Sequence, residues 1–188
     1  MGEAGHVPRE ALMNPHIRLL GQVSEMTVAI LRDRITQLQD IDPLVVEITT
    51  PGGDAEMGRL LAQEMRELRL RERRVLFLGK TMVYSAGVTM MAAVPVENRY
   101  LTADTMLLIH CRRMDETVHF QGPLKSVSIQ AKTELAKSEA GIQLEREGFE
   151  ELIQGSDVSF DEVCEKAQHN WYLTAEEALQ RRLVAGLL

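Results

Sequence analysis

The sequence predicts an α/β protein built from repeated βαβ units. Short apolar runs suited to buried strands lie at 44–48, 74–80 and 107–110. Between these runs, apolar side chains recur with helical spacing. Strands and helices that alternate in this way form a parallel sheet with helices packed on its faces.

The composition is that of one globular domain. The chain has 188 residues, of which 45% are hydrophobic and 26% charged, and its formal net charge is −7. This acidic balance does not favour nucleic acid as a partner, and no apolar window is long enough to predict a membrane span. Cys111 and Cys164 show no disulfide or metal-ligand spacing. We therefore expect a cytoplasmic protein with no metal and no cofactor.

The elements are predicted to begin after a flexible N-terminal arm, residues 1–15, and to form a single domain over 16–188. The first strand lies within 16–23, and Ser24 is well placed to cap the helix that follows. One face of this helix is marked by four side chains at helical spacing: Thr27, Leu31, Ile35 and Leu38.

The strand at 44–48 runs into TTPGGD at 49–54, a sequence that favours a turn. A second helix follows, and its core face is predicted to contain Met57, Leu60, Leu61 and Leu68. The strand at 74–80 precedes a short apolar helix from Ser85 to Val94.

The pattern changes after the strand at 107–110. Residues 117–122 alternate as in a strand, and 124–153 predict a long polar helix that needs partner chains to pack against. SFDE at 159–162 and TAEE at 174–177 fit capping boxes, which begin helices.

Three features directly follow predicted strands: the pair Gly52-Gly53, Ser85 and His110. Ligands of parallel α/β sheets bind beyond the carboxyl ends of the strands, so these residues are candidates for one site. A serine and a histidine there can act as nucleophile and base. Each feature taken alone has an ordinary structural explanation. Ser85 can be a helix cap, His110 a histidine of the core, and the glycine pair a turn between a strand and a helix.

Four segments resemble the signature blocks of the Clp protease proteolytic subunit (ClpP) family: ITTPGGDAEMG, VYSAGVTMMAA, RYLTADTMLLIH and NWYLTAEEALQRRLVAGLL. The resemblance covers roughly 16–188. It implies the ClpP/crotonase superfold, with repeated βαβ units and a protruding strand-helix handle at about 115–155.

The resemblance also implies a serine endopeptidase that works through an acyl-enzyme. The resemblance implies that Ser85 of this sequence is the nucleophile and His110 the general base. It also implies that the backbone N–H groups of Gly53 and Ala86 form the oxyanion hole. His119 and His169 are competing candidates for the base, and Tyr84 is a candidate for the specificity pocket.

Asn170 departs from the family pattern, which has aspartate at this position. An asparagine can orient the histidine but cannot offset an imidazolium charge. The sequence therefore predicts either weaker catalysis or a compensating acid, for which Asp115 and Asp161 are candidates. Alternatively, Asn170 is a helix C-terminal cap.

The resemblance implies homo-oligomeric heptameric rings that cut unfolded polypeptides or small peptides. In the family, the handle interlocks two such rings into a stack. An AAA+ unfoldase partner is doubtful, since only residues 1–15 precede the first strand. Two alternatives remain open: a weak or inactive regulatory ring subunit that pairs with an active paralogue, and a crotonase-like acyl-CoA enzyme.

Overall fold

In the computed structural model, which describes residues 9–188, one seven-stranded sheet organises the chain. The strands are β1 Ile17–Leu20, β2 Leu44–Thr50, β3 Val75–Tyr84, β4 Arg99–Leu101, β5 Met106–Ile109, β6 Trp171–Thr174 and β7 Gly186–Leu187. The α-helices are α1 Arg9–Met13, α2 Glu25–Gln37, α3 Ala55–Leu70, α4 Ala86–Ala92, α5 Leu124–Ile153, α6 Phe160–Ala167 and α7 Ala175–Gln180, and a 3-10 turn covers Val96–Asn98.

The sheet is mainly parallel, which confirms the predicted α/β class. Its main path runs β1-β2-β3-β4-β7, all parallel, while β5 pairs parallel with β3 and β6 pairs antiparallel with β5. The core lies between the sheet and its helices and is almost wholly aliphatic, with Leu31, Ile48 and Leu61 nearly inaccessible.

Strand β3 is longer than the predicted 74–80 and reaches the residue before Ser85. Residues 77–79 pair with β4 and residues 82–84 pair with β5. Thr81, at φ 57°, lies between the two pairings, so the strand changes partner there rather than ending. This extension brings the carboxyl end of β3 beside that of β5.

The helices form where the local signals predict them. The Asp54 side chain caps α3 by accepting from the N–H groups of Glu56 and Met57, and Ser159 caps α6. At the start of α7, Thr174 and Glu177 complete both bonds of the predicted capping box.

Part of the predicted N-terminal arm is ordered into a helix. Helix α1 buries Leu12 against Val45 and Leu76, on the sheet face opposite α3. The expected arm also includes Asn14 and Pro15, which follow α1, and residues 1–8, which lie outside the described residues.

The predicted strand at 117–122 is wrong for the isolated chain. Residues 110–121 have no regular secondary structure, and 113–121 are exposed. A strand needs a neighbour for its backbone hydrogen bonds, and this segment has no neighbouring strand in the described part of one chain. The long helix is confirmed as α5, which buries only Phe149 and Leu152 near its carboxyl end and otherwise projects from the domain.

Arg99 ties the carboxyl ends of α4 and α5 together. Arg99 is only 1% exposed, and its guanidinium donates to the carbonyls of Ala92, Val94 and Leu152 at 2.6–2.8 Å. Burial lowers the pKa of Arg99 to about 10, so it remains protonated at neutral pH. Within 9–188, no helix is both long and apolar enough to cross a bilayer.

Candidate active site

Ser85 stands at the junction of β3 and α4 in an unusual backbone conformation. Its φ is 52° and its ψ −110°, and its N–H donates to the Leu108 carbonyl of β5 at 2.9 Å. Its side chain forms no capping hydrogen bond with α4. A side-chain cap therefore does not explain this serine, and Ser85 lines a cleft.

Of the glycine pair after β2, Gly52 packs against Ser85 and Gly53 packs against the backbone of Val23. Gly52 has φ 96°, and a Cβ there would lie 2.9 Å from Ser85 Cβ. Gly53 has φ 150°, and a Cβ there would lie 2.3 Å from the carbonyl oxygen of Val23. Only glycine permits both this left-handed backbone and this close approach.

Two backbone N–H groups of residues that line this cleft have no acceptor among residues 9–188. The bridge between Val23 and Gly53 uses the Gly52 carbonyl and the Asp54 N–H, at 2.8 and 3.0 Å, but not the Gly53 N–H. The Ala86 N–H, in the first turn of α4, also has no partner in the part of the chain that is described. Both residues line the cleft with Ser85.

His110 immediately follows β5, the parallel neighbour of the β3 segment that ends before Ser85. Its Nδ1 lies 2.6 Å from the Cys111 carbonyl oxygen. Because a carbonyl only accepts, Nδ1 carries the proton and Nε2 is left as an acceptor. Ser85 and His110 line the same cleft, although no hydrogen bond joins their side chains in the described chain.

Asn170 is not hydrogen-bonded to the histidine. Strands β5 and β6 pair antiparallel, with Ile109 opposite Trp171. The next residues outward, His110 and Asn170, therefore lie opposite each other at the ends of these two strands. Yet Asn170 is exposed, has φ 58°, and donates its own N–H to the Ala167 carbonyl at the end of α6. Asn170 thus closes the turn that follows α6, two residues beyond Gln168, the C-cap of that helix.

The other candidates from the sequence lie apart from the cleft. His119, His169, Asp115 and Asp161 are exposed and do not line it. Tyr84 also does not line it, and its ring packs edge-on against Tyr172 with the ring centroids 5.9 Å apart.

The cleft has a volume of about 1070 Å³ and lies between α3, α4 and α5. Its apolar lining includes Leu60, Val88, Leu108, Leu144, Phe149 and Leu152. Gly148 of α5 also lines it, and a Cβ at this position would meet no atom within 4 Å. The space in front of Ser85 is therefore large enough for side chains of a peptide.

Charged residues that the sequence analysis did not single out line the same cleft. The Arg112 side chain pairs with Glu56, and the Arg112 N–H donates to Glu145 Oε2 at 2.5 Å. Burial raises the pKa of Glu56, but bonds to Arg112 and Arg59 outweigh this and hold the pKa below its usual value. The one signal that could have indicated them is the pair of arginines, Arg112 and Arg113, soon after the candidate base.

The surroundings of both thiols disfavour the thiolate form, because they raise the pKa of Cys111 and of Cys164. Burial raises the pKa of Cys111, and the Glu145 carboxylate raises it further. Burial likewise raises the pKa of Cys164. Among residues 9–188, no group of three or more histidine, cysteine or acidic side chains is arranged to hold a metal ion.

Comparison with known proteins gives consistent matches. The family model described as Clp protease matches residues 4–188. The ATP-dependent Clp protease proteolytic subunit 2 of Pseudomonas aeruginosa is 28% identical over 147 residues, covering 78% of this chain and 66% of that protein. The protein of the same name from Treponema pallidum is 26% identical over 176 residues, covering 92% and 81%.

A solved structure, an Asn-to-Asp mutant of ClpP1 from Listeria monocytogenes, superposes with a TM-score of 0.72. It is 19% identical, and the match covers 96% of this chain and 94% of that one. At this identity the likeness shows the fold.

Proposed function

Because this chain belongs to the Clp protease family, we propose that it is a ClpP-like proteolytic subunit and a serine endopeptidase. Ser85 is the nucleophile and His110 the general base. The observation that carries the proposal is one cleft lined by Ser85, His110 and the residues of two unpartnered N–H groups, Gly53 and Ala86.

In acylation, Ser85 Oγ bonds to the carbonyl carbon of the substrate while its proton passes to Nε2 of His110. The imidazolium then gives that proton to the leaving nitrogen as the C–N bond breaks. The hydrogen bond from Nδ1 to the Cys111 carbonyl supports this role because it selects the tautomer with Nε2 free to accept.

The N–H groups of Gly53 and Ala86 would hold the oxyanion of the tetrahedral intermediate. Backbone donors fixed in the folded chain need no reorganisation when the charge develops, and removing one such donor costs about 2.7–4 kcal/mol in enzymes where this has been measured. In deacylation, water attacks the ester carbon and gives one proton to Nε2 of His110. The imidazolium then returns that proton to Ser85 Oγ as the bond between this oxygen and the acyl carbon breaks, which releases the acid and restores the free serine.

A weakly active or regulatory subunit is the second candidate. It is favoured by Asn170, whose side chain makes no hydrogen bond to His110 in the described chain and carries no charge to offset an imidazolium. Such a subunit would assemble with an active paralogue.

We propose that the chain acts as a homo-oligomeric ring of subunits on unfolded polypeptides or small peptides. Support comes from the projecting helix α5, with exposed Ile129, Leu135 and Ile142, and from the word "subunit" in the names of its relatives. Those names also say "ATP-dependent", and an ATPase partner for this chain stays a prediction.

A fluorophosphonate probe, which reacts with activated serines, tests the proposal. The wild-type chain should be labelled on Ser85, whereas Ser85→Ala and His110→Ala should not be labelled. Ser128→Ala, at an exposed serine of α5, is the matched control and should label as the wild type does. An assembled wild-type sample that is not labelled and cuts no peptide would reject the enzyme and favour the regulatory subunit.

A further inference from the structure

We propose that Glu145 is a positioning residue for the general base and acts through the peptide group between Cys111 and Arg112. This inference rests on the proposed role of His110 as base. In effect, a carboxylate on α5 would supply, through one peptide unit, the orienting acid that Asn170 does not provide.

The first step of the argument is that two hydrogen bonds share one planar peptide. The Cys111 carbonyl accepts from His110 Nδ1 at 2.6 Å, and the Arg112 N–H of the same peptide donates to Glu145 Oε2 at 2.5 Å. Since the peptide is rigid, fixing its N–H also fixes the direction of its carbonyl. The carboxylate thereby sets where the imidazole points.

The second step concerns charge. A hydrogen bond from the peptide N–H to an ionised carboxylate polarises the peptide and makes its carbonyl a stronger acceptor. A stronger acceptor favours the proton on Nδ1 and stabilises the imidazolium that forms when His110 takes the serine proton. Glu145 would therefore assist the chemical step without touching the substrate.

The third step is that little else holds this peptide. Residues 110–121 lack regular secondary structure, so no sheet ladder fixes the chain after β5. The remaining anchors are the Cys111 N–H, which donates to the Ala167 carbonyl at 3.2 Å, and the Arg112 side chain, which pairs with Glu56 on α3. Among these anchors, only Glu145 bonds to the peptide whose carbonyl accepts from His110.

The position of Glu145 also explains why no local pattern reveals it. It lies 33 residues after its hydrogen-bonding partner, on the helix that projects from the domain, and its bond to Arg112 goes to a backbone group. The same carboxylate lies beside the Cys111 thiol, whose pKa is raised first by burial and then by the Glu145 charge.

The test is a graded series at Glu145, with kcat and KM measured on a short peptide in assembled protein. Glu145→Gln keeps an acceptor oxygen but loses the charge, and Glu145→Leu loses both. We expect kcat to fall by about 3-fold to 10-fold for Gln and about 10-fold to 100-fold for Leu, the range found for groups that orient a functional histidine, with KM nearly unchanged.

Glu150→Gln and Glu150→Leu are the matched controls. Glu150 lies on α5, is exposed and does not line the cleft, so these variants should retain wild-type kcat. Equal losses in the two series would overturn the proposal in favour of a general effect of charge on α5, and so would wild-type kcat in Glu145→Leu.

A second measurement does not depend on activity. In protein with 15N-labelled histidine, His110 should be held as the Nδ1–H tautomer in the wild type, and Glu145→Leu should shift it towards a mixture of tautomers. An unchanged His110 spectrum would refute the inference even if the protein proved inactive. Conversely, wild-type protein without activity but with the expected tautomer shift would reject the peptidase and retain the role of Glu145.

Discussion

At the residue scale, the candidate site depends on backbone conformations that most side chains avoid. Gly52 and Gly53 have left-handed φ values, and Ser85 shares this feature although it has a Cβ. A non-glycine residue in such a conformation costs about 1–3 kcal/mol and persists only where its surroundings fix it. Here the bond from the Ser85 N–H to β5 and the start of α4 supply that restraint.

Asn170 provides the first residue-scale prediction. Asn170→Asp should raise kcat for peptide hydrolysis, because a carboxylate opposite His110 across the β5–β6 pair can compensate the imidazolium charge. Aspartate tolerates the left-handed conformation at φ 58°, so the fold should be retained. Steady-state kinetics on a short peptide would measure the change.

The matched control for this prediction is Asn170→Gly, which suits the same backbone but removes every side-chain acceptor. If Asn170 serves only to close the turn after α6, Asn170→Gly and the wild type should have the same kcat. No gain in the aspartate variant would contradict the prediction and leave the Cys111 carbonyl as the working partner of the histidine.

Individual site residues were predictable only where a local motif marks them. Ser85, His110 and the glycine pair stand directly after strands, and Ser85, His110 and Gly53 line one cleft. Glu145 has no such mark, because its bond joins α5 to a backbone group 33 residues earlier. Arg112 and Glu56 were missed for the same reason: their pairing depends on the tertiary fold.

At the element scale, predictions held where an element's environment lies within the chain. Helices α2, α3 and α5 match their periodic segments, since one face or one end of each packs on the sheet or a neighbouring helix. Alternation at 117–122 failed as a predictor because it reports only side-chain periodicity, whereas a strand also requires a hydrogen-bonding neighbour.

Helix α5 contributes a second prediction through its two interior glycines. Gly148 lines the cleft and Gly141 does not, and a Cβ at either position would meet no atom within 4 Å. Gly148→Phe should therefore place a ring in the cleft, raising KM for peptides with bulky side chains beside the scissile bond. Peptides with alanine there should be affected much less.

Gly141→Phe is the control for this substitution, because it makes the same chemical change on the same helix outside the cleft. Both variants should be at least as stable as the wild type, since replacing an interior helical glycine recovers a few tenths of a kcal/mol or more. Thermal melting would confirm this. Equal KM values for the two variants would show that substrates do not occupy the space beside Gly148.

At the scale of the whole molecule, the domain joins elements that are distant in sequence. Arg99 donates to carbonyls at the ends of α4 and α5 and to that of Leu183, so the helix after Ser85 and the helix bearing Glu145 share one buried anchor. Arg66 of α3 adds a bidentate pair with Glu151 of α5 at 2.7 and 2.8 Å. The base of the projecting helix is therefore rigidly connected to the candidate site.

Away from this base, α5 has exposed apolar side chains instead of buried contacts with the domain. Its exposed Ile129, Leu135 and Ile142, with Val118 and Phe120 of the preceding segment, form apolar surface that one chain leaves uncovered. A second copy would bury this surface and could supply the missing neighbour for 117–122. Assembly and the state of the segment after His110 would then be coupled, since both involve the chain that leaves the candidate base.

Leu135→Glu tests this coupling. Burying a leucine contributes about 1.5–3 kcal/mol, so placing a charge there should shift sedimentation from large assemblies to smaller species. Peptidase activity should fall with the assembled fraction, because the segment that begins at His110 loses its neighbour. Ala136→Glu introduces the same charge at the adjacent exposed residue and controls for charge alone. Full activity in a monomeric Leu135→Glu protein would separate the chemistry of the cleft from assembly.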